Sequence, residues 1–133
     1  MKRKIYAAPG KLGRGDGTSP ENAAGGLGRA LELSREIKED TLIVLLPGEY
    51  RLTSALRLDE RDSGTEFTGE GAVVTGAAPV TGLREAGDGI VCADVPADAR
   101  FTQFFVGGER RERARFPESG MLTPGSAPAR RSG

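Results

Sequence analysis

The residues with the clearest potential for binding chemistry are arginines in the last quarter of the chain. Four arginines fall within residues 110–115, and on a strand Arg111, Arg113 and Arg115 would project to one side. A row of guanidinium groups can hold carboxylates such as those of uronates. The same row also suits a solvated edge strand, because charge on an edge blocks unwanted pairing. These three arginines are therefore the candidate substrate-binding residues, and the edge-strand interpretation stays open.

Carboxylates are the second group that could carry chemistry, since glycoside hydrolysis needs two carboxyl groups at a defined separation. We expect all the candidates to lie at corners or solvent-facing strand positions, where they would solubilise the chain. They are Glu49, Asp59, Glu60, Asp62, Glu66 and Glu70. Asp59, Glu60 and Asp62 could supply hard oxygen ligands for calcium, but their spacing is not specific for a calcium site. No catalytic residue and no metal ligand is assigned.

Composition excludes several classes of function. The chain has no histidine, which removes Ser-His-Asp chemistry, Cys-His dyads and most catalytic zinc sites. Cys92 is the only cysteine, so no intrachain disulfide can form, and a small buried hydrophobe is its expected role. The 19 basic and 19 acidic residues balance, so no global field points to nucleic acid or a membrane.

Two short motifs near the N-terminus are interpreted as coincidences. Gly13 and Gly15 begin a dinucleotide-type pattern, but Thr18 stands where its third glycine belongs, and no P-loop Lys-Ser/Thr follows. Arg14, Gly15 and Asp16 spell an adhesion tripeptide in a chain without a secretion signal. No cofactor is therefore expected. Because no apolar signal segment follows the basic first residues, the sequence predicts a soluble cytoplasmic product.

Strands joined by sharp corners must position these residues. The apolar run 42–46 has strand length, Pro47 and Gly48 stop it, and alternation resumes through residues 49–58. Short strands at 65–68 and 72–75 follow, separated by glycine-centred corners without helices. This series fits a coil that turns every few residues, as in parallel β-helices. The helix that precedes it, at about 27–38, should bury Leu27, Leu31 and Ile37.

Several pieces of the chain, taken in order, resemble the N-terminal region of right-handed parallel β-helix proteins of the pectin-lyase-like, glycoside-hydrolase-like class. The pieces are residues 6–10, 17–21, 27–31, 40–50, 62–65, 69–76, 104–108 and 113–117. The last two resemble a hairpin of that class, and Arg113 and Arg115 match its motif.

The resemblance implies a mainly β fold with an N-terminal capping helix. Residues 1–117 would form the cap and first coils of a β-helix, with a β-hairpin insertion at about 90–115 and a disordered tail at 118–133. The coils that carry catalytic carboxylates in such proteins are absent here, so the chain would be truncated and inactive by itself. Full-length relatives are often secreted.

Two functions remain open at this stage. The chain is either the N-terminal structural portion of a carbohydrate-active hydrolase or lyase, or a non-catalytic carbohydrate-binding or assembly module. Expected partners are a polysaccharide or oligosaccharide in the full-length parent, with no nucleic acid and no membrane. Exposed strands at the end of the last coil offer a surface for self-association.

Overall fold

A computed structural model describes residues 1–10, 14–123 and 125. They contain one α-helix, a short 3-10 helix and ten strands. In chain order these are β1 Arg3–Ala8, β2 Ala24–Gly25, α1 Gly26–Glu36, β3 Thr41–Leu45, β4 Gly48–Arg51, the 3-10 helix Glu60–Asp62, β5 Thr65–Thr68, β6 Ala72–Thr75, β7 Arg84–Gly87, β8 Ile90–Cys92, β9 Phe104–Val106 and β10 Glu109–Arg111. The chain divides into two compact units, Met1–Val80 and Thr81–Gly133.

The core of the first unit is built on a parallel four-stranded sheet in the order β2-β1-β3-β5. Ile5 of β1 and Phe67 of β5 flank Ile43 of β3 in register. Because side chains alternate between the faces of a strand, these residues share one face with Thr41 and Leu45. Ile43 is fully buried, whereas Phe67 on the edge strand is 39% exposed.

A second parallel pair, β4 with β6, continues the same arrangement beyond the corner at Pro47. Thr41 pairs with Thr65 and Gly48 pairs with Ala72, so both pairs have the same offset of 24 residues. Gly48 needs a φ of +136°, and a side chain there would collide with the ring of Pro9. The corner therefore requires glycine, as the Pro-Gly pattern predicted.

The helix α1 packs against the sheet through one apolar face. Leu27, Ala30, Leu31 and Ser34 are buried, and Ile37 is partly buried just beyond the helix end. The predicted burial of Leu27 and Leu31 is confirmed, and the helix begins one residue earlier and ends two residues earlier than predicted. Within the described part of the chain, no helix has the length and apolar character needed to cross a membrane.

Tyr50 closes the core on the β4 side. Its side chain is 2% exposed, and its hydroxyl lies 2.7 Å from the carbonyl oxygen of Ala7 and 2.8 Å from that of Leu46. Burial raises the pKa of this phenol above its ordinary value. The hydroxyl thus links the end of β1 to the corner before β4.

Tyr50→Phe is expected to lower the free energy of unfolding by about 1 kcal/mol, because the carbonyl oxygens of Ala7 and Leu46 lose a shared donor while ring packing is kept. Urea denaturation followed by circular dichroism measures the change. Tyr6→Phe is the matched control, since Tyr6 is only partly buried. Equal losses in the two variants would contradict the role given to the Tyr50 hydroxyl.

The second unit contains two antiparallel hairpins, β7 with β8 and β9 with β10. Nearly all of its strand residues are exposed, among them Ile90, Val91, Phe104 and Phe105. Cys92, predicted to be buried, is only partly so. Isolated two-stranded hairpins are marginally stable in water, so this unit has little packing of its own within the described residues.

The predicted mainly β fold of stacked coils is wrong. Among the described residues, the strands form separate sheets of two to four members, two of them antiparallel, and the fold is mixed α/β with no parallel β-helix or solenoid. The physical reason lies beyond Thr75, where parallel pairing stops. The later strands are joined by the two-residue turns Asp88-Gly89 and Gly107-Gly108, and such turns connect only antiparallel neighbours.

The predicted relation to pectin-lyase-like proteins is therefore wrong as well. The role of α1 as the cap of a β-helix, which that resemblance implied, is wrong with it. The single insertion predicted at 90–115 is replaced by two separate hairpins, the first of which begins at Arg84. The division at residue 117 stays a prediction. Most of the predicted disordered tail, residues 124 and 126–133, lies outside the described residues.

Candidate functional site

The candidate site is built on the β9–β10 hairpin of the second unit. Gly107 and Gly108 form its turn with φ values of +60° and +81°, as a two-residue type I′ turn requires. This turn fixes the register, in which Arg111 lies directly opposite Phe104. Directly opposite side chains in an antiparallel pair are close neighbours, so the hairpin places a guanidinium group beside an aromatic ring.

A groove of about 210 Å³ runs beside this hairpin. Its walls come from the segment leading into β9 and from the segment around the end of β10. The lining residues are Phe101, Thr102, Gln103, Phe104, Arg111, Glu112 and Arg113. Two of the three predicted binding arginines, Arg111 and Arg113, therefore lie in one groove together with two phenylalanines.

Arg115, the third predicted arginine, is not part of this groove. Its Nη1 donates a hydrogen bond to the carbonyl oxygen of Gly120 at 3.2 Å. Arg110, which lies opposite Phe105, does not line the groove either. The predicted strand ends at Arg111, so the expected alternation does not extend to Arg113 and Arg115.

The groove carries a net positive charge. Arg111 Nη2 lies 3.3 Å from Glu109 Oε2, and both side chains are more than half exposed. Exposed pairs of this kind contribute little stability, so the guanidinium group can exchange partners at small cost. Glu112 is the one carboxylate in the lining, and a single carboxylate cannot supply the pair that glycoside hydrolysis uses.

None of the six carboxylates considered for catalysis is among the residues that line this groove. All lie in the first unit, and Glu49 and Glu66 form exposed ion pairs with Arg51 and Lys2. Glu60 and Glu70 are exposed. Among residues 1–10, 14–123 and 125, no group of three or more acidic, histidine or cysteine side chains is arranged to hold a metal ion.

Asp59 and Asp62 have structural roles that the sequence did not indicate. Asp62 accepts from Arg35 Nε and Nη2, each at 2.7 Å, and Asp62 Oδ2 also accepts from the backbone N–H of Asp59 at 2.8 Å. Asp59 accepts in turn from the side chain and the backbone N–H of Arg61. The two carboxylates cap the 3-10 helix reciprocally.

These hydrogen bonds hold both carboxylates in the ionised form. The bonds from Arg35 lower the pKa of Asp62 below its ordinary value, and those from Arg61 lower the pKa of Asp59 well below its ordinary range. Arg35 also donates to the carbonyl oxygen of Arg57 at 3.0 Å, so it ties α1 to the segment that leads into β5. Neither aspartate is therefore a proton donor near neutral pH, and both already accept hydrogen bonds from arginine side chains.

A larger groove, of about 280 Å³, lies in the first unit between the start of α1 and residues 50–56. Its lining includes glycines and leucines, with Arg51 as its one charged residue. It offers less ligand chemistry than the smaller groove of the second unit. The Arg14-Gly15-Asp16 tripeptide offers none, since Asp16 Oδ1 accepts from Thr18 and Asn22.

Arg111 and Arg113 were named from the sequence, whereas the aromatic residues that line the same groove were not. Phe104 could have been found from the Gly-Gly turn, because a two-residue turn sets the residue opposite Arg111. Phe101 lies outside any strand and had no comparable signal. Comparisons with known proteins identify no relative, since no family model, no curated protein and no solved structure matches this chain.

Proposed function

We propose that this chain is a non-catalytic carbohydrate-binding module that holds an acidic sugar in the groove of its second unit. The observation that carries the proposal is the groove itself, which combines Arg111 and Arg113 with Phe101 and Phe104. Within a carbohydrate-active protein, such a module would hold the saccharide while residues elsewhere perform any reaction.

The two types of side chain support complementary contacts. Planar guanidinium groups bind carboxylates in a fixed fork geometry, which suits the acid group of a uronate. Phenylalanine rings offer flat apolar faces against which the C–H face of a sugar ring can pack. The volume of about 210 Å³ lies below the roughly 300–1,000 Å³ of typical ligand pockets, so the groove would hold a single sugar unit and leave the rest of an oligosaccharide in solvent.

Arg111→Ala and Arg113→Ala are each expected to weaken binding of a uronate oligosaccharide by about tenfold, because each removes one charge-assisted contact to the carboxylate. Isothermal titration calorimetry of the full chain with oligogalacturonate measures the effect. Arg110→Ala, on the same strand but outside the groove, is the matched control and should bind like the original protein.

A neutral oligosaccharide of the same length, made of galactose units, provides the second comparison. Weaker binding of the neutral sugar would support contacts to the carboxylate. The proposal fails if neither sugar binds, or if Arg110→Ala reduces binding as much as the two groove variants do. Circular dichroism of each variant separates a lost contact from a lost fold.

A further inference from the structure

An unpaired strand edge in the first unit presents a second surface. β6 pairs with β4 on one side and has no strand on its other side among the described residues. Its side chains are uncharged, and Val73 and Val74 are 59% and 46% exposed. Natural edge strands are normally protected by charge, proline or a covering segment, so an uncharged edge of this kind favours pairing with another strand.

The backbone hydrogen bonds that β6 makes to β4 show which of its N–H and C=O groups remain free. On the β4 side, the carbonyl oxygen of Gly71 accepts from the backbone N–H of Gly48 at 3.0 Å. The carbonyl oxygen of Thr75 accepts from the N–H of Leu52, just beyond β4, at 2.8 Å. Since alternate residues of a strand direct their backbone groups to opposite sides, Val73 also bonds towards β4. Ala72 and Val74 therefore direct their N–H and C=O groups away from β4.

The free groups are symmetric about Val73, which makes the edge complementary to itself. In an antiparallel pair of two β6 strands with a two-fold axis at Val73, Ala72 of each copy faces Val74 of the other, and these residues can exchange their hydrogen bonds. The two Val73 residues then form a non-hydrogen-bonded pair with Cα atoms about 4.5 Å apart. We propose that a second copy of this chain binds at this edge.

The charges near the two ends of β6 support a second copy of the chain as the binding partner. Exposed Glu70 precedes the strand, and Arg51 on β4 lies beside Thr75 at the end of the strand. Arg51 pairs with Glu49 on its own strand, and because this pair is partly exposed it can open at small cost to admit Glu70 of the other copy, which antiparallel pairing brings to the same end. The strand itself adds no like charges to the contact.

The size of the contact sets the expected strength. Two four-residue strands bury far less than the roughly 1,200 Å² at the lower end of stable interfaces. The dimer is therefore weak and reversible, with a dissociation constant on the order of 0.1–1 mM. At lower concentrations the chain is a monomer, so carbohydrate binding and pairing are separate properties.

Disulfide trapping tests the register directly. In the full chain with Cys92→Ser, Val73→Cys is expected to give a cross-linked dimer under mild oxidation, because the two-fold axis places the new thiols side by side. Thr75→Cys is the matched control. Its two copies lie about 13 Å apart in this register and should cross-link much less.

Sedimentation equilibrium up to millimolar concentration gives the second measurement. The original chain should show a reversible monomer–dimer equilibrium, and Val73→Lys should abolish it by placing two positive charges opposite each other. Val73→Thr, which keeps the β-branched shape, should dimerise. The inference is overturned if the original chain stays monomeric at millimolar concentration, or if Thr75→Cys cross-links as efficiently as Val73→Cys.

Discussion

Ile43→Ala is expected to lower the free energy of unfolding of the first unit by about 2–5 kcal/mol. Ile43 has no exposed surface and lies on β3, between Ile5 of β1 and Phe67 of β5. Removing its side chain leaves a cavity at the centre of the four-stranded sheet. Because small domains are stable by only about 5–15 kcal/mol in total, this loss takes a large share of the stability available.

Urea denaturation followed by far-UV circular dichroism measures the effect of Ile43→Ala as a lower midpoint at an unchanged slope. Leu42→Ala is the matched control, since Leu42 is the preceding residue on β3, faces the other side of the sheet and is only partly buried. A loss in Leu42→Ala equal to that in Ile43→Ala would show that the core does not lie on the face described.

The second large effect concerns acid stability. Asp62→Asn is expected to destabilise the first unit at neutral pH and to make its stability less dependent on pH below about 5. The folded pKa of Asp62 lies below the ordinary value of 3.8, because Arg35 binds its ionised form. Its contribution is therefore fully present above 3.8 and is lost as the pH falls through the lower, folded value.

Thermal melting between pH 2 and pH 7 distinguishes this effect from a general loss of packing. The original chain should lose stability steeply on acidification, and Asp62→Asn should start lower and fall less. Glu60→Gln is the matched control, because Glu60 is exposed on the same 3-10 helix. Parallel pH profiles for the original chain and Asp62→Asn would contradict the role of the Arg35–Asp62 pair.

The local elements of the first unit could be predicted from sequence because their signals are local. Residues 65–68 and 72–75 form strands with the predicted boundaries, and β3 begins at Thr41, one residue before its predicted apolar run. Glycine, proline and side-chain alternation determine these elements within a few residues. The burial of Leu27 and Leu31 follows from the helical repeat in the same way.

The fold class could not be predicted because it depends on which strands pair after Thr75. Short strands with glycine corners are equally compatible with a growing solenoid and with a chain that turns back into hairpins. The deciding residues are the two-residue turns Asp88-Gly89 and Gly107-Gly108, which direct the chain after Thr75 into antiparallel hairpins. The Arg35–Asp62 pair was missed for a related reason, since it joins residues 27 positions apart that no local pattern links.

The shared offset of 24 residues in the two parallel pairs also affects how errors in folding are corrected. The short corner between β5 and β6 couples their alignments, so a slip of one residue against β3 would force the same slip against β4. Such a slip would turn Phe67 away from the face it shares with Ile43 and bring Glu66 in its place, and it would turn Ala72, which packs against the core, away from it. A misaligned intermediate therefore loses packing in two sheets at once, and each pair acts as a check on the alignment of the other.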